Sequence, residues 1–211
     1  MTMKRFVALL LAVCCLVPSL VIASDAGPLP LIQSRDQEIR AYIGKRTLPL
    51  SAKDKEPLKQ LLNDLFDYDR IALDALGARN QKLASKKELD EFLSLFRQVT
   101  VNNSVSDKAL EYYSEGRIQY RKPEEVGRRT VVSAKITYKG EEIRLDYYFE
   151  KNPKGEWRIT DYSVDDASLV DTYRVSFSKI IKDNGFGELL RRLRNRLESP
   201  DDTKLGGATK L

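Results

Sequence analysis

Along this chain the spacing of apolar residues changes twice, and each change marks a boundary between kinds of structure. From residue 51 to about 113 the apolar positions fall at three- and four-residue steps, the signature of helices with one buried face. Ser51 caps a helix whose stripe is Leu58, Leu61, Leu62 and Leu65. The next, Phe66 to Gly77, turns Tyr68, Ala72, Ala75 and Leu76 one way and stops at a glycine suited to a left-handed end. Ser85 and Glu88 have capping-box spacing ahead of the strongest helix, with Leu89, Phe92, Leu93, Phe96 and Val99 on one face. That pattern continues to Tyr113, with a break near Asn102 and Asn103. Upstream, Ser24 to about Ser34 has no periodicity and contains Gly27, Pro28 and Pro30, which predicts a loose lead-in. Arg35 to Ile43 predicts a short helix ended by Gly44, and Leu48-Pro49-Leu50 a connector.

After Gly116 the period becomes two. Ile118 and Tyr120 begin it; Val132, Ala134, Ile136 and Tyr138 then alternate with Ser133, Lys135 and Thr137. Lys139-Gly140 makes a turn, and the following strand places Ile143, Leu145, Tyr147 and Phe149 opposite Arg144, Asp146, Tyr148 and Glu150. Asn152-Pro153-Lys154-Gly155 returns the chain to a third strand at Trp157. In that strand the apolar side chains are odd-numbered through Ile159 and even-numbered from Tyr162, which predicts a bulge or a strand end covered on both sides.

The period then reverts to helical. Ser168 caps a helix with Val170, Tyr173, Phe177 and Ile180 on one face, and after Asn184-Gly185 a last helix carries Leu189, Leu190, Leu193 and Leu197 opposite four arginines. An antiparallel meander with one apolar face needs a cover, and only the flanking helices can supply it. The class is therefore α+β, with N-terminal and C-terminal helices packed on one face of a curved, mainly antiparallel sheet.

The first residues alter where this fold is expected to reside. Lys4 and Arg5, the apolar run Phe6 to Val21 and the pattern Val21-Ile22-Ala23 form the three regions of a cleavable signal peptide at 1–23. A retained membrane anchor is the rival, but the run is short for a span and Pro18 interrupts it. Lipoprotein processing at Cys14 or Cys15 is the weaker rival, because Val13 and Cys14 are poor matches to the small residue wanted before the cysteine. One domain at 24–198 follows, and the polar, aperiodic stretch 199–211 is expected to be a disordered tail. Both cysteines lie in the leader, so the mature chain has no disulfide, which agrees with a bacterial periplasm.

Composition narrows the chemistry. With no histidine and no mature cysteine, the usual activated nucleophile pairs and imidazole metal ligands are missing. The net charge of +5 falls to +3 without Lys4 and Arg5, an excess too small and dispersed to indicate nucleic acid.

Phe66 to Gly77, the phenylalanine-rich helix after it, the strand at Trp157 and Asp166 to Phe177 together resemble the MlaC family of periplasmic phospholipid carriers, a toluene-tolerance auxiliary component of an ABC transport system. The resemblance covers about Arg35 to Leu197 and is most specific at Ser168-Leu169-Val170, Tyr173-Arg174 and Phe177. Two positions depart from the pattern: Asp166 stands where the family usually has glycine, and Asn80 where it often has tryptophan. The resemblance implies helices and sheet enclosing an apolar cavity for acyl chains, with the phospholipid headgroup exposed. It also implies shuttling between an outer-membrane lipoprotein complex and an inner-membrane ABC-type complex, maintaining outer-membrane lipid asymmetry. On this reading the protein is a periplasmic monomer and not an enzyme, needing no cofactor or metal. Tyr68, Phe96, Ile143, Leu145, Tyr147, Phe149, Val170, Tyr173 and Phe177 are the expected cavity wall, and Arg174 is the candidate for the lipid phosphate.

Competing readings remain for several of these residues. The apolar faces can be ordinary core, and Arg174 can pair with a nearby aspartate. Asp161, Asp165, Asp166 and Asp171 suggest a metal or general-acid site, but no calcium-type loop spacing is present, and a helix start favours the same charges. The alternative function is a small-molecule enzyme on a cone-shaped α+β scaffold, with Asp161 or Tyr147 as acid-base group in an apolar pocket.

Overall fold

The chain's first helix begins earlier than its apolar pattern indicates. In a computed structural model, which describes residues 27–198, α1 spans Pro28–Ile43; the expected leader at 1–23 and tail at 199–211 lie outside the described residues. Prolines 28 and 30 belong to the first turn, where backbone N–H groups have no helical acceptor, so they fit the helix rather than prevent it. The buried stripe is Ile32, Asp36, Ile39 and Ile43, and a carboxylate in the stripe hides the period. Asp36 is matched one turn on by Arg40, whose Nε donates to both its oxygens at 3.0 and 2.9 Å.

The next helices start at their expected caps. In α2, Ala52–Asn63, Ser51 Oγ accepts from the Asp54 N–H. In α3, Tyr68–Gln81, Asp67 accepts from the Arg70 N–H, and Gly77 at φ 74° interrupts the helix before a last turn. Both bonds of the Ser85–Glu88 capping box open α4, Lys86–Ser104. The chain bends at Val105, slightly beyond the expected asparagines, and Ser106 caps α5, Asp107–Glu115.

The sheet has six antiparallel strands: β1 Arg117–Tyr120, β2 Glu124–Val126, β3 Arg129–Tyr138, β4 Glu141–Lys151, β5 Trp157–Val164 and β6 Ala167–Ser168. The order is β1-β3-β4-β5-β6, with β2 also paired to β3. Strands β2 and β6 are too short to show an alternation. The free edge of β5 is covered by the segment between α2 and α3, through Ile159 N–H to Leu65 C=O at 3.0 Å and Asp67 N–H to Ile159 C=O at 2.9 Å.

The phase change in β5 is a bulge. Tyr148 pairs with Asp161 and Phe149 with Ile159, leaving Thr160 as the extra residue. Ile159 thereby stays in the core with Phe149 and Val132, while Tyr162 and Val164 turn to the same face as Tyr147 and Leu145.

At the junction from sheet to α6, Leu169–Asn184, the carboxylate cluster acts as structure. Buried Asp161 accepts from the Ser168 hydroxyl at 2.6 Å and from the Val170 and Tyr162 N–H groups at 3.1 and 2.8 Å, and Ser168 Oγ accepts from the Asp171 N–H. Burial raises the Asp161 pKa while these bonds oppose it. Asp161→Ala strips a buried N–H of its acceptor and is expected to cost about 2–4 kcal/mol in denaturant unfolding.

Asp165 and Asp166 form the two-residue turn from β5 to β6, both at positive φ, 47° and 68°. Aspartate tolerates this conformation but glycine prefers it, so Asp166→Gly is expected to raise stability by about 0.5 kcal/mol in the same assay. Asn80, the other departure, is buried and donates to Leu76 C=O and Ser178 Oγ, tying α3 to α6.

Among the described residues three apolar clusters result. The largest joins α3, α4, α6 and α7, Phe186–Glu198; a second joins α1, α2 and α5; the third lies between α1 and the sheet. Among the described residues no helix is long and apolar enough to cross a membrane.

Candidate functional site

Between these clusters the inner face of the sheet is incompletely covered. Cross-strand pairing aligns Tyr120, Ala134, Leu145 and Val164 in one row and Val132, Tyr147 and Tyr162 in the next. Most of these side chains, joined by Ile118 and Ile136, form the floor of a cavity. Ile32 and Ile39 of α1, Leu62 of α2, Ala109 of α5 and Leu169 of α6 face them, with Leu65 and Phe66 from the covering segment. Its empty space, counted out through the open mouth and so including solvent there, is about 1040 Å³.

The expected wall residues separate into two groups. Leu145, Tyr147 and Tyr173 line this cavity. Phe96, Val170 and Phe177 lie instead in the packed core, since α3, α4 and α6 turn their apolar faces toward one another; Tyr68 is also buried, its ring stacked on Phe66 at a centroid distance of 5.4 Å. Phe96 meets Tyr173 and Phe177 edge-on at centroid distances of 5.2 and 6.0 Å. Phe149 is fully buried beneath α1 with Ile159, and Ile143 lies beyond the cavity on the same strand face. Arg174 is away from the cavity: it donates to Asp171 at 2.6 Å and, through Nε and Nη2, to the Asp74 carbonyl at 3.1 and 2.9 Å, fastening α6 to α3.

The missed residues come from most of the surrounding elements, and those on α1, α4, α5 and β1 add the most chemistry. Tyr112, Tyr113 and Tyr120 bring aromatic rings to the cavity, and Arg35, Asp36, Arg40 and Asn103 bring polar groups. The alternation of Ile118 and Tyr120 is a usable signal for β1; α1 offers only an i, i+4 Asp36–Arg40 pair inside an apolar stripe. That pair is closed on itself, because Arg40 Nη1 also donates to the Tyr113 and Gly116 carbonyls at 2.6 and 2.9 Å. Among the described residues no group of three or more acidic, cysteine or histidine side chains is placed to hold a metal ion.

Burial pushes the phenols up: Tyr113 and Tyr173 to about 12, Tyr120, Tyr162 and nearby Tyr68 further, and Tyr147 well above the usual tyrosine range. Since an unfolded tyrosine ionises near pH 10, the stability from keeping these phenols neutral is intact below that pH and is lost as pH rises from about 10 towards 12, at roughly 1.4 kcal/mol per unit for each. The expected result is that these six phenols ionise together, in one cooperative alkaline transition that coincides with the loss of circular dichroism. Ionisation of all ten tyrosines in a protein that keeps its dichroism would contradict it.

No curated protein matches the chain. A solved structure, the phospholipid-binding protein from Ralstonia solanacearum in complex with a phospholipid, is similar in fold: TM-score 0.64, covering 81% of this chain and 94% of that one at 20% identity. The family model described as MlaC protein matches residues 46–195. With more than half its length matched, and with the helices and antiparallel sheet that its pattern predicts, the chain belongs to the MlaC family.

Proposed function

We propose that this protein is a periplasmic phospholipid carrier, exported by its leader, that holds acyl chains in the cavity between sheet and α1. The observation that carries the reading is the half-covered apolar floor, in which Ile118, Ile136, Leu145 and Val164 all remain partly exposed along one cavity. A soluble protein rarely leaves such a surface open without an occupant. Family membership and the phospholipid complex of the similar structure support the same chemistry. On this reading Leu145, Tyr147 and Tyr173 touch the chains, and the protein moves lipid between an outer-membrane lipoprotein complex and an inner-membrane ABC-type transport complex, maintaining outer-membrane asymmetry.

The carrier holds its lipid and does not turn it over. Asp161, the acid-base candidate of the enzyme reading, has both carboxylate oxygens engaged at the start of α6. Prolonged incubation with phospholipid vesicles should return intact lipid; accumulation of free fatty acid or lysolipid that vanishes in Asp161→Asn would overturn the reading.

A further inference from the structure

The polar side chains at the cavity differ in whether their donors are used. Arg40 spends its Nε on Asp36 and its Nη1 on two backbone carbonyls. Arg35, one position before Asp36, is arranged differently. Its Nη1 donates to Glu38 at 3.1 Å, whereas its buried Nε has no acceptor among the described residues. Asn103, near the end of α4, lines the same cavity, and its buried Nδ2 is likewise without an acceptor. The Arg35 side chain is 17% exposed and that of its partner Glu38 48%, so a residue that lines the cavity also reaches a solvated carboxylate.

Buried donors without acceptors are uncommon, and two from different helices on one cavity point to a ligand that brings oxygen. A cation with a planar fork of donors favours an oxyanion over a neutral oxygen. We propose that Arg35 and Asn103 form the polar end of the cavity and receive the oxyanion at the head of an acylated ligand, in place of the sequence-based candidate Arg174. A phospholipid phosphodiester and a fatty-acid carboxylate share that chemistry. This rests on the lipid-carrier reading and adds to it a preference for charge at one position.

The test compares three amphiphiles of equal chain length, lysophosphatidylglycerol, a fatty acid and a monoacylglycerol, binding to the delipidated mature protein and to Arg35→Gln and Asn103→Leu, with circular dichroism as a check on folding. The wild type is expected to bind at least one of the charged amphiphiles about tenfold or more tightly than the neutral one. Arg35→Gln should lose that preference and keep neutral binding; Asn103→Leu should weaken charged binding several-fold without weakening the neutral. Loss confined to lysophosphatidylglycerol identifies a phosphate site, and loss confined to the fatty acid a carboxylate site. Unchanged charged binding in both variants, or an equal fall for all three amphiphiles, overturns the proposal. If the wild type binds none of the three, the carrier reading itself fails. Should Arg35→Gln not fold, Asn103→Leu decides alone.

Discussion

Leu145→Glu is expected to purify folded and without lipid. Leu145 lies between Ala134 and Val164 in a cross-strand row, on the cavity floor and only partly buried, so a longer polar side chain has room to extend without displacing core. Its carboxylate either stays ionised and draws in water or protonates at a cost of several kcal/mol. Each acyl CH₂ removed from water contributes about 0.8 kcal/mol, so a long chain gains on the order of 10 kcal/mol in a dry cavity and loses much of that beside a hydrated carboxylate. Bound lipid should fall more than tenfold while thermal melting changes little. Lys135→Ala, on the opposite face of the neighbouring strand, should keep its lipid. Full lipid content in folded Leu145→Glu would place the acyl chains elsewhere, and an unfolded variant would make this face ordinary core.

Phe177→Ala is expected to do the reverse. Phe177 is fully buried, with ring centroids 5.5 Å from Phe92, 6.0 Å from Phe96 and 5.1 Å from Tyr173. Truncating it empties space that these rings cannot readily refill, so unfolding in denaturant should lose about 3–5 kcal/mol. The fraction that remains folded should carry lipid like the wild type, because Phe177 does not line the cavity. Depleted lipid with undiminished stability would return Phe177 to the binding wall.

These two residues show what periodicity can and cannot reveal. A period of two identifies the inner face of β4, and a period near 3.6 identifies the buried face of α6, but neither says what lies across from that face. Leu145 meets open space and Phe177 meets other phenylalanines, a difference set by how α3, α4 and α6 pack. Caps were legible because their chemistry is local: Ser51, Ser85 and Ser168 each accept from a backbone N–H three residues on. The bulge at Thr160 was legible as a change of phase. Helix α1 was obscured by two prolines and by Asp36 in its apolar stripe, so Arg35 could not be assigned to a cavity wall before the stripe was known. Arg174 looked available because its acceptor, the Asp74 carbonyl, lies a hundred residues away.

The claim that an acyl ligand fills the space between α1 and the sheet is tested most directly by native mass spectrometry of the mature protein purified without added lipid, followed by extraction and identification of what it holds. The expected result is one folded chain carrying intact phospholipid, with the adduct lost in Leu145→Glu and kept in Lys135→Ala. A wild-type protein free of lipid that also takes none from phospholipid vesicles, or one whose adduct survives Leu145→Glu unchanged, would contradict it.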